Sequence, residues 1–117
     1  MDQKLRSTNA IKGALIADAA TLGTHWIYDV PRISEITDAN DGSASFVKID
    51  PANYEGVPSY FAHGNRSDGS NTQYGEVLKT ALKSIIDNNG NFDVEKYQES
   101  FVAHFGPGGT YLSLIHI

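Results

Sequence analysis

The sequence contains no cysteine, which excludes a disulfide framework and a thiolate metal site. Basic residues are also few, nine Lys and Arg against fourteen Asp and Glu, and the net charge is −5. Because phosphate backbones and anionic membranes bind clustered positive charge, we expect no nucleic acid and no membrane as a partner. Apolar runs are short as well, and none approaches the ~18 residues of a membrane span.

The residues that are present are typical of a globular protein. The chain has 117 residues, of which 40% are apolar and 10% aromatic, so we expect a single domain at most. The first ten residues lack the apolar core of a signal peptide. We therefore expect a soluble, cytoplasmic protein, whose oligomeric state the sequence does not indicate.

Four segments have apolar residues at helical spacing, so the sequence predicts an all-α fold. Capping residues predict helix starts at residues 7–9, at Asp29 and at Asp93, and residues 88–90 predict a left-handed helix end. The positions predicted to face inward on the last two helices are Tyr74, Val77, Leu78, Ala81, Leu82, Ile85, Ile86, Val94, Tyr97, Phe101, Val102 and Phe105.

Residues 37–70 lack clear periodicity and are rich in Asp, Asn, Gly and Ser. So long an irregular stretch is usually a functional loop or a disordered segment. Its interleaved aromatic residues favour an ordered loop, with protein–protein contact by residues 46–61 as a remoter possibility. His63, in this loop, either lines a pocket or faces water.

The last six residues, LSLIHI, do not fit the helical pattern before them. They can be back-translated as CTG-TCT-CTT-ATA-CAC-ATC, which matches the adapter used in transposase-based library preparation. We interpret residues 112–117 as translated adapter sequence, so that the native sequence ends at Tyr111 and His116 carries no chemistry. The alternative is a genuine short strand or tail.

Asp18 lies on the same helical face as Leu22 and His25, within the stretch GALIADAATLGTHWIYD. A carboxylate buried without a partner is costly, so we expect Asp18 to meet polar partners in a pocket whose rim is formed by residues 25–29. The alternative is that Asp18 caps a neighbouring helix or loop and that His25 and Trp26 are core residues with satisfied hydrogen bonds.

Two further stretches carry polar or flexible groups. Residues 68–73 lead into the third predicted helix, where their side chains can cap it, bind a hard cation or accompany an anion site; taken alone, capping is the expected role. Residues 106–111 lack the lysine and the preceding strand of a phosphate-binding P-loop, so a helix stop is expected. His104, on the fourth helix, is expected to be exposed or partly packed.

The order of these pieces resembles a known family. The motifs G-A-L-I-A-D-A-A, H-W-I-Y-D, N-T-Q-Y-G-E, F-D-V-E-K-Y and F-G-P-G-G-T-Y, between Ile11 and Tyr111, are together similar to the N-terminal part of the ADP-ribosylglycohydrolase superfamily. The H-W-I-Y-D variant resembles the branch that contains the J-crystallins. The resemblance implies that residues 1–111 are the N-terminal part of a longer, all-helical domain.

The resemblance also implies a site. Asp18 stands at the acidic position of the family's GALxGDA motif, and active members bind two Mg²⁺ ions through a Thr/Ser-Asp-Asp-Thr motif and a distal Asp-x-Asp motif. Here the first of these is represented by Ser70, Asn71 and Thr72, without the Asp pair. Because hard divalent cations prefer several anionic oxygens, we expect no dinuclear magnesium site of the family's type. The predicted substrate-binding residues are Asp18, His25, Asn71 and Thr72.

These observations leave two functional interpretations. In the first, the full-length protein is an ADP-ribosylglycohydrolase-like hydrolase or binder of ADP-ribosyl conjugates, with N- or O-glycosidic bonds, and this fragment alone is inactive. In the second, the protein keeps the helical fold as a non-catalytic, crystallin-like structural protein.

Overall fold

The computed structural model describes residues 2–109. The interpretation of residues 112–117 as adapter sequence, His116 included, falls outside this described part, as do Thr110 and Tyr111. The chain divides into two compact units, Met1–Thr72 and Gln73–Ile117.

The predicted all-α fold is confirmed, since residues 2–109 contain four α-helices and no strand. Two short 3₁₀ turns, Leu22–Thr24 and Pro51–Tyr54, lie between them. The helices are α1 (Gln3–Ala20), α2 (Val30–Ala39), α3 (Gln73–Asp87) and α4 (Val94–Phe105). Over the same part of the chain, no helix combines the length and the apolar character needed to cross a bilayer.

The first unit has a small core built by α2, the residues just before it and the irregular segment after it. Its buried side chains are Ile27, Ile36, Val47 and Tyr54, with Ile33, Val57 and Phe61 partly buried against them. Helix α1 is exposed over most of its length, and Ala19 is its buried residue. The end of α1 is therefore the part of this helix that lies closest to buried structure, and Asp18 is located there.

In the second unit, α3 and α4 pack against each other. The α4 side of the contact carries a row of aromatic rings, in which Phe101 lies 6.1 Å from Tyr97 and 4.7 Å from Phe105, measured between ring centres. Phe105 is fully buried. The predicted left-handed end of α3 is confirmed, because Asn89 and Gly90 both have positive φ.

Several boundaries and faces differ from the sequence-based prediction. Helix α1 begins at Gln3, four residues before the predicted cap, because the Asp2 carboxylate accepts a hydrogen bond from the Leu5 N–H and caps the helix earlier. By contrast, Asp29 and Asp93 cap α2 and α4 as predicted. Four positions predicted to face inward are exposed, because the apolar stripes of α3 and α4 are wider than the surface that the described residues cover: Tyr74, Ile86, Val94 and Val102.

Candidate functional site

The Asp18 carboxylate is the centre of a polar cluster at the end of α1. Its Oδ2 accepts hydrogen bonds from Asn71 Nδ2 at 3.0 Å and from the Thr72 N–H at 2.8 Å, and its Oδ1 accepts one from Thr72 Oγ1 at 2.6 Å. Asn71 Nδ2 also donates to the Leu15 carbonyl at 2.8 Å. The chain around residue 71 is thus tied to the last turn of α1 across more than fifty residues.

The burial of this cluster explains why its polar groups are paired with one another. Asp18 and Asn71 are half-buried, and Thr72 is 1% exposed. A carboxylate removed from water is stabilised when charge-assisted donors replace the lost hydration. Asp18 therefore meets polar partners and not bulk solvent. The arrangement also fits the capping alternative, because Asp18 accepts the N–H of the residue that precedes α3.

Three of the four predicted substrate-binding residues, Asp18, Asn71 and Thr72, are in direct contact. The fourth, His25, follows the 3₁₀ turn Leu22–Thr24, where the charge of Asp18 acts on it. Its ring contacts His63, with 2.8 Å between His25 Nδ1 and His63 Nε2. His25 is therefore next to the Asp18 cluster and is held by a different partner.

The two imidazole rings meet edge to edge. Their planes differ by 15° and their centres lie 5.1 Å apart, a separation close to the 2.8 Å contact plus the radii of both rings. The rings are therefore nearly coplanar and point their contacting nitrogens at each other, as in an N–H···N hydrogen bond. His63 is 2% exposed, whereas His25 is half-buried.

Burial lowers the pKa of His25 below its usual value, and the charge of Asp18 opposes this shift with a smaller effect. Desolvation disfavours an imidazolium, and a neighbouring carboxylate favours it. Because burial is the larger influence, His25 is neutral at neutral pH. The contact with His63 needs one N–H and one lone pair between the two facing nitrogens, and a neutral His25 can supply either of them.

Residues 25–29 do not form one rim, contrary to our expectation. The Trp26 ring packs on His25 with 5.0 Å between ring centres, and Trp26 has a positive φ of 65°. Tyr28 is exposed, while the Asp29 side chain accepts the Arg32 N–H as the cap of α2. Asp29 is used to cap α2, so within this stretch only His25 and Trp26 lie beside His63.

The residues before α3 are a poor fit to a pair of magnesium ions. The side chains of Asn71 and Thr72 direct hydrogen-bond donors at Asp18, whereas a hard cation needs oxygens that accept. The nearby carboxylate of Asp68 accepts the Ile49 N–H at 2.8 Å. Within residues 2–109, no group of three His, Asp or Glu side chains is placed to hold a metal ion.

Sequence reasoning left the role of His63 open and did not identify Tyr54. The Tyr54 hydroxyl donates to the His25 carbonyl at 2.9 Å, and burial raises the pKa of Tyr54 to about 12. Both residues come from the irregular segment, where no periodicity indicates which side chains point inward. Their aromatic character was the one available signal.

The second unit has a polar groove of its own. A cavity of about 440 Å³ between α3 and α4 is lined by Glu76, Lys79 and His104 among others. The Glu76 carboxylate contacts Lys79 Nζ at 2.7 Å and His104 Nε2 at 3.1 Å, so His104 is partly packed, as expected.

The helix stop expected at residues 106–111 is found at its first position. Helix α4 ends at Phe105, and the Gly106 N–H donates to the Val102 carbonyl.

The chain is similar to two J-crystallins. It is 37% identical over 108 residues to crystallin J1A and 33% identical over 109 residues to crystallin J1B, both from Tripedalia cystophora. Each match covers 92% of this chain and 30% of the relative, so the chain spans about 30% of the length of these curated proteins. No family model and no solved structure matches the sequence. The similarity supports a crystallin-like affiliation.

Proposed function

We propose that this chain supplies part of the ligand pocket of an ADP-ribosylglycohydrolase-like protein that binds or hydrolyses ADP-ribosyl conjugates. The observation that supports the proposal is the contact of Asp18 with Asn71 and Thr72, two separate segments that the family resemblance implies belong to one site. The similarity to J-crystallins is consistent with the same branch of that family.

The cluster retains capacity for a sugar hydroxyl. An ionised carboxylate offers about four lone-pair positions, and three donors occupy Asp18. Oδ1 receives a single donor among the described contacts, the Thr72 hydroxyl, so it can accept one more hydrogen bond. A ribose hydroxyl is a donor of the right kind, and the half-buried position of Asp18 strengthens such a bond relative to bulk water.

Catalysis is assigned to the longer protein and not to this chain alone. The chain corresponds to about 30% of its relatives, and the carboxylate at its centre is already bonded to three donors. We expect the isolated chain to be inactive. The proposal does not depend on Mg²⁺, since Asn71 and Thr72 present donors to Asp18.

A second candidate is a non-catalytic, crystallin-like structural protein. It is favoured by the names of the two relatives and by the use of Asp18 to join the end of α1 to the segment before α3. In this case the Asp18 cluster serves stability, and no ligand is required.

Thermal unfolding of the full-length protein with millimolar ADP-ribose, with and without Mg²⁺, distinguishes the two candidates. A ligand that binds the folded state raises the melting temperature, so the hydrolase-like candidate predicts an increase in wild type that Asp18→Asn abolishes. Asp93→Asn, which alters a helix cap in α4, and Thr72→Ser, which keeps the hydroxyl, should retain the response. An unchanged melting temperature in wild type under both conditions would reject ligand binding and leave the structural candidate.

A further inference from the structure

We propose that His25 and His63 form a two-histidine proton site, which accepts one proton with their contact intact and separates when it accepts a second. Acidification would then release the segment that carries His63 from the turn after α1. This inference concerns the charge state of the fold and does not rest on the proposed ligand.

The geometry of the contact limits the pair to one proton between its facing nitrogens. His25 Nδ1 and His63 Nε2 are 2.8 Å apart in nearly coplanar rings, so one nitrogen carries hydrogen and the other presents its lone pair. A proton added at an outer nitrogen preserves this bond and makes it charge-assisted. A proton added to the acceptor would place two N–H groups and two positive charges face to face.

Burial indicates which ring carries the first charge. His63 is 2% exposed, so an imidazolium there would be strongly desolvated, whereas His25 is half-buried and lies in the field of Asp18. The first proton therefore binds His25 Nε2, and His25 Nδ1–H donates to His63 Nε2. The second proton must bind His63 at the nitrogen that accepts this bond.

The neighbouring groups act in the same direction. Asp18 supplies negative charge beside His25, and the Tyr54 hydroxyl, which bonds to the His25 carbonyl, stays neutral because burial raises its pKa to about 12. On the His63 side, the Arg66 backbone N–H donates to the His63 carbonyl at 2.9 Å, which fixes the main chain next to that ring.

The same geometry argues for a proton and against a metal ion. The lone pair and the N–H lie along the line that joins the two nitrogens, whereas two ligands of one cation must point at a common position beside that line. Both Asp18 oxygens already accept hydrogen bonds, and within residues 2–109 no third ligand joins the pair.

Separation of the two histidines would disturb the Asp18 cluster, because a short series of hydrogen bonds joins His63 to Asp18. Arg66 bonds to the His63 carbonyl through its N–H and to the Asn71 carbonyl through Nη2 at 3.4 Å. Asn71 in turn donates to Asp18. The backbone bonds from Tyr28 to Pro58 and from Tyr60 to Trp26 do not involve the rings and should persist, so the release is confined to residues after Tyr60.

Nuclear magnetic resonance of the full chain with ¹⁵N-labelled histidine tests the proposal directly. At neutral pH we expect a coupling across the hydrogen bond between His25 Nδ1 and His63 Nε2. On acidification, the first protonation should keep this coupling and the second should abolish it. His104→Gln should leave both steps unchanged. Absence of the coupling at neutral pH, or two independent titrations, would overturn the proposal.

Chemical denaturation between pH 6.5 and 5.5 gives a second test with His63→Gln. The unfolded chain takes up a proton at each histidine, while the folded pair resists the second one, so acidification favours unfolding. We expect the unfolding constant to rise as the pH falls, and to rise more steeply in the wild type than in the variant. The difference should reach a factor of about ten for each pH unit, which corresponds to one additional proton bound on unfolding. Equal slopes in the two proteins would also overturn the proposal.

Discussion

Gly23 is the position in the first unit at which the structure leaves no room for a side chain. A Cβ atom there would lie 2.0 Å from the Val47 carbonyl oxygen, far inside van der Waals contact. The close approach allows the turn after α1 to pack on the segment that contributes Val47 to the core. This role depends on a contact with a residue 24 positions further along the chain, which a sequence pattern around Gly23 does not indicate.

Gly23→Ala is expected to destabilise the protein by about 1–3 kcal/mol, since the backbone of Val47 must move to accommodate the methyl group. Gly13→Ala is the matched control, because a Cβ at Gly13 in α1 meets nothing within 4 Å. Alanine at that helical position should stabilise by up to about 1 kcal/mol. Urea denaturation measures both changes, and equal stabilities would contradict the packing role of Gly23.

Two of the site's residues show what could and could not be predicted from single positions. Asp18 was identified because a carboxylate on an apolar helical face needs partners, and the resemblance to a family pointed to Asn71 and Thr72 as those partners. His63 could not be matched to His25, because the two residues lie 38 positions apart and His63 belongs to the irregular segment. Pattern reasoning depends on periodicity, and the chain between α2 and His63 has no clear period.

Among the helices and turns, the connection between α2 and the second 3₁₀ turn depends on Arg32. Its Nη1 donates to the carbonyls of Ala52, Asn53 and Glu55 at 3.3, 3.1 and 3.2 Å. These carbonyls lie within the turn Pro51–Tyr54 or directly after it, so one guanidinium positions the turn that carries Tyr54 into the core.

Arg32→Ala is expected to cost about 1–2 kcal/mol, because it removes a charged donor shared by three carbonyls. Glu35→Ala removes the carboxylate that pairs with the Arg32 side chain at 3.2 Å, and because the Glu35 side chain is 72% exposed the change should cost less than about 0.5 kcal/mol. Urea midpoints of the two variants test the difference. A larger loss for the Glu35 variant would show that the surface pair, not the turn, is the stabilising contact.

The helices themselves were predicted well where local chemistry fixes them. The caps of α2 and α4 and the left-handed end of α3 depend on Asp29, Asp93 and the Asn89-Gly90 pair, which act within a few residues of their position. The start of α1 was wrong because several residues could cap it and Asp2 does. The predicted inward orientation of Tyr74 and Val102 was also wrong, since burial depends on packing against distant parts of the chain.

For the chain as a whole, His25 and Tyr54 predict a bounded pH range of stability. The folded pKa of His25 is lowered from about 6.5, so its contribution is complete above pH 6.5 and is lost as the pH falls below it. The folded pKa of Tyr54 is raised from about 10 to about 12, so its contribution is complete below pH 10 and is lost as the pH rises from 10 to 12.

Denaturation midpoints should therefore form a plateau between about pH 6.5 and pH 10 and fall on either side. Tyr54→Phe removes the ionisable hydroxyl, so the part of the alkaline decline that is due to this residue should disappear. The variant should also lose about 1 kcal/mol of unfolding free energy within the plateau, since it lacks the hydrogen bond to the His25 carbonyl. An alkaline decline of the same steepness in the variant would mean that other groups determine it.

The position of Trp26 gives this protein an optical property. Trp26 is the single tryptophan of the sequence, and its indole lies between rings, 5.0 Å from the centre of His25 and 6.2 Å from that of His63. An imidazolium beside an indole quenches its fluorescence more strongly than a neutral imidazole does. The intrinsic emission of the chain therefore comes from a chromophore placed next to the two histidines, and its brightness follows their charge without any label.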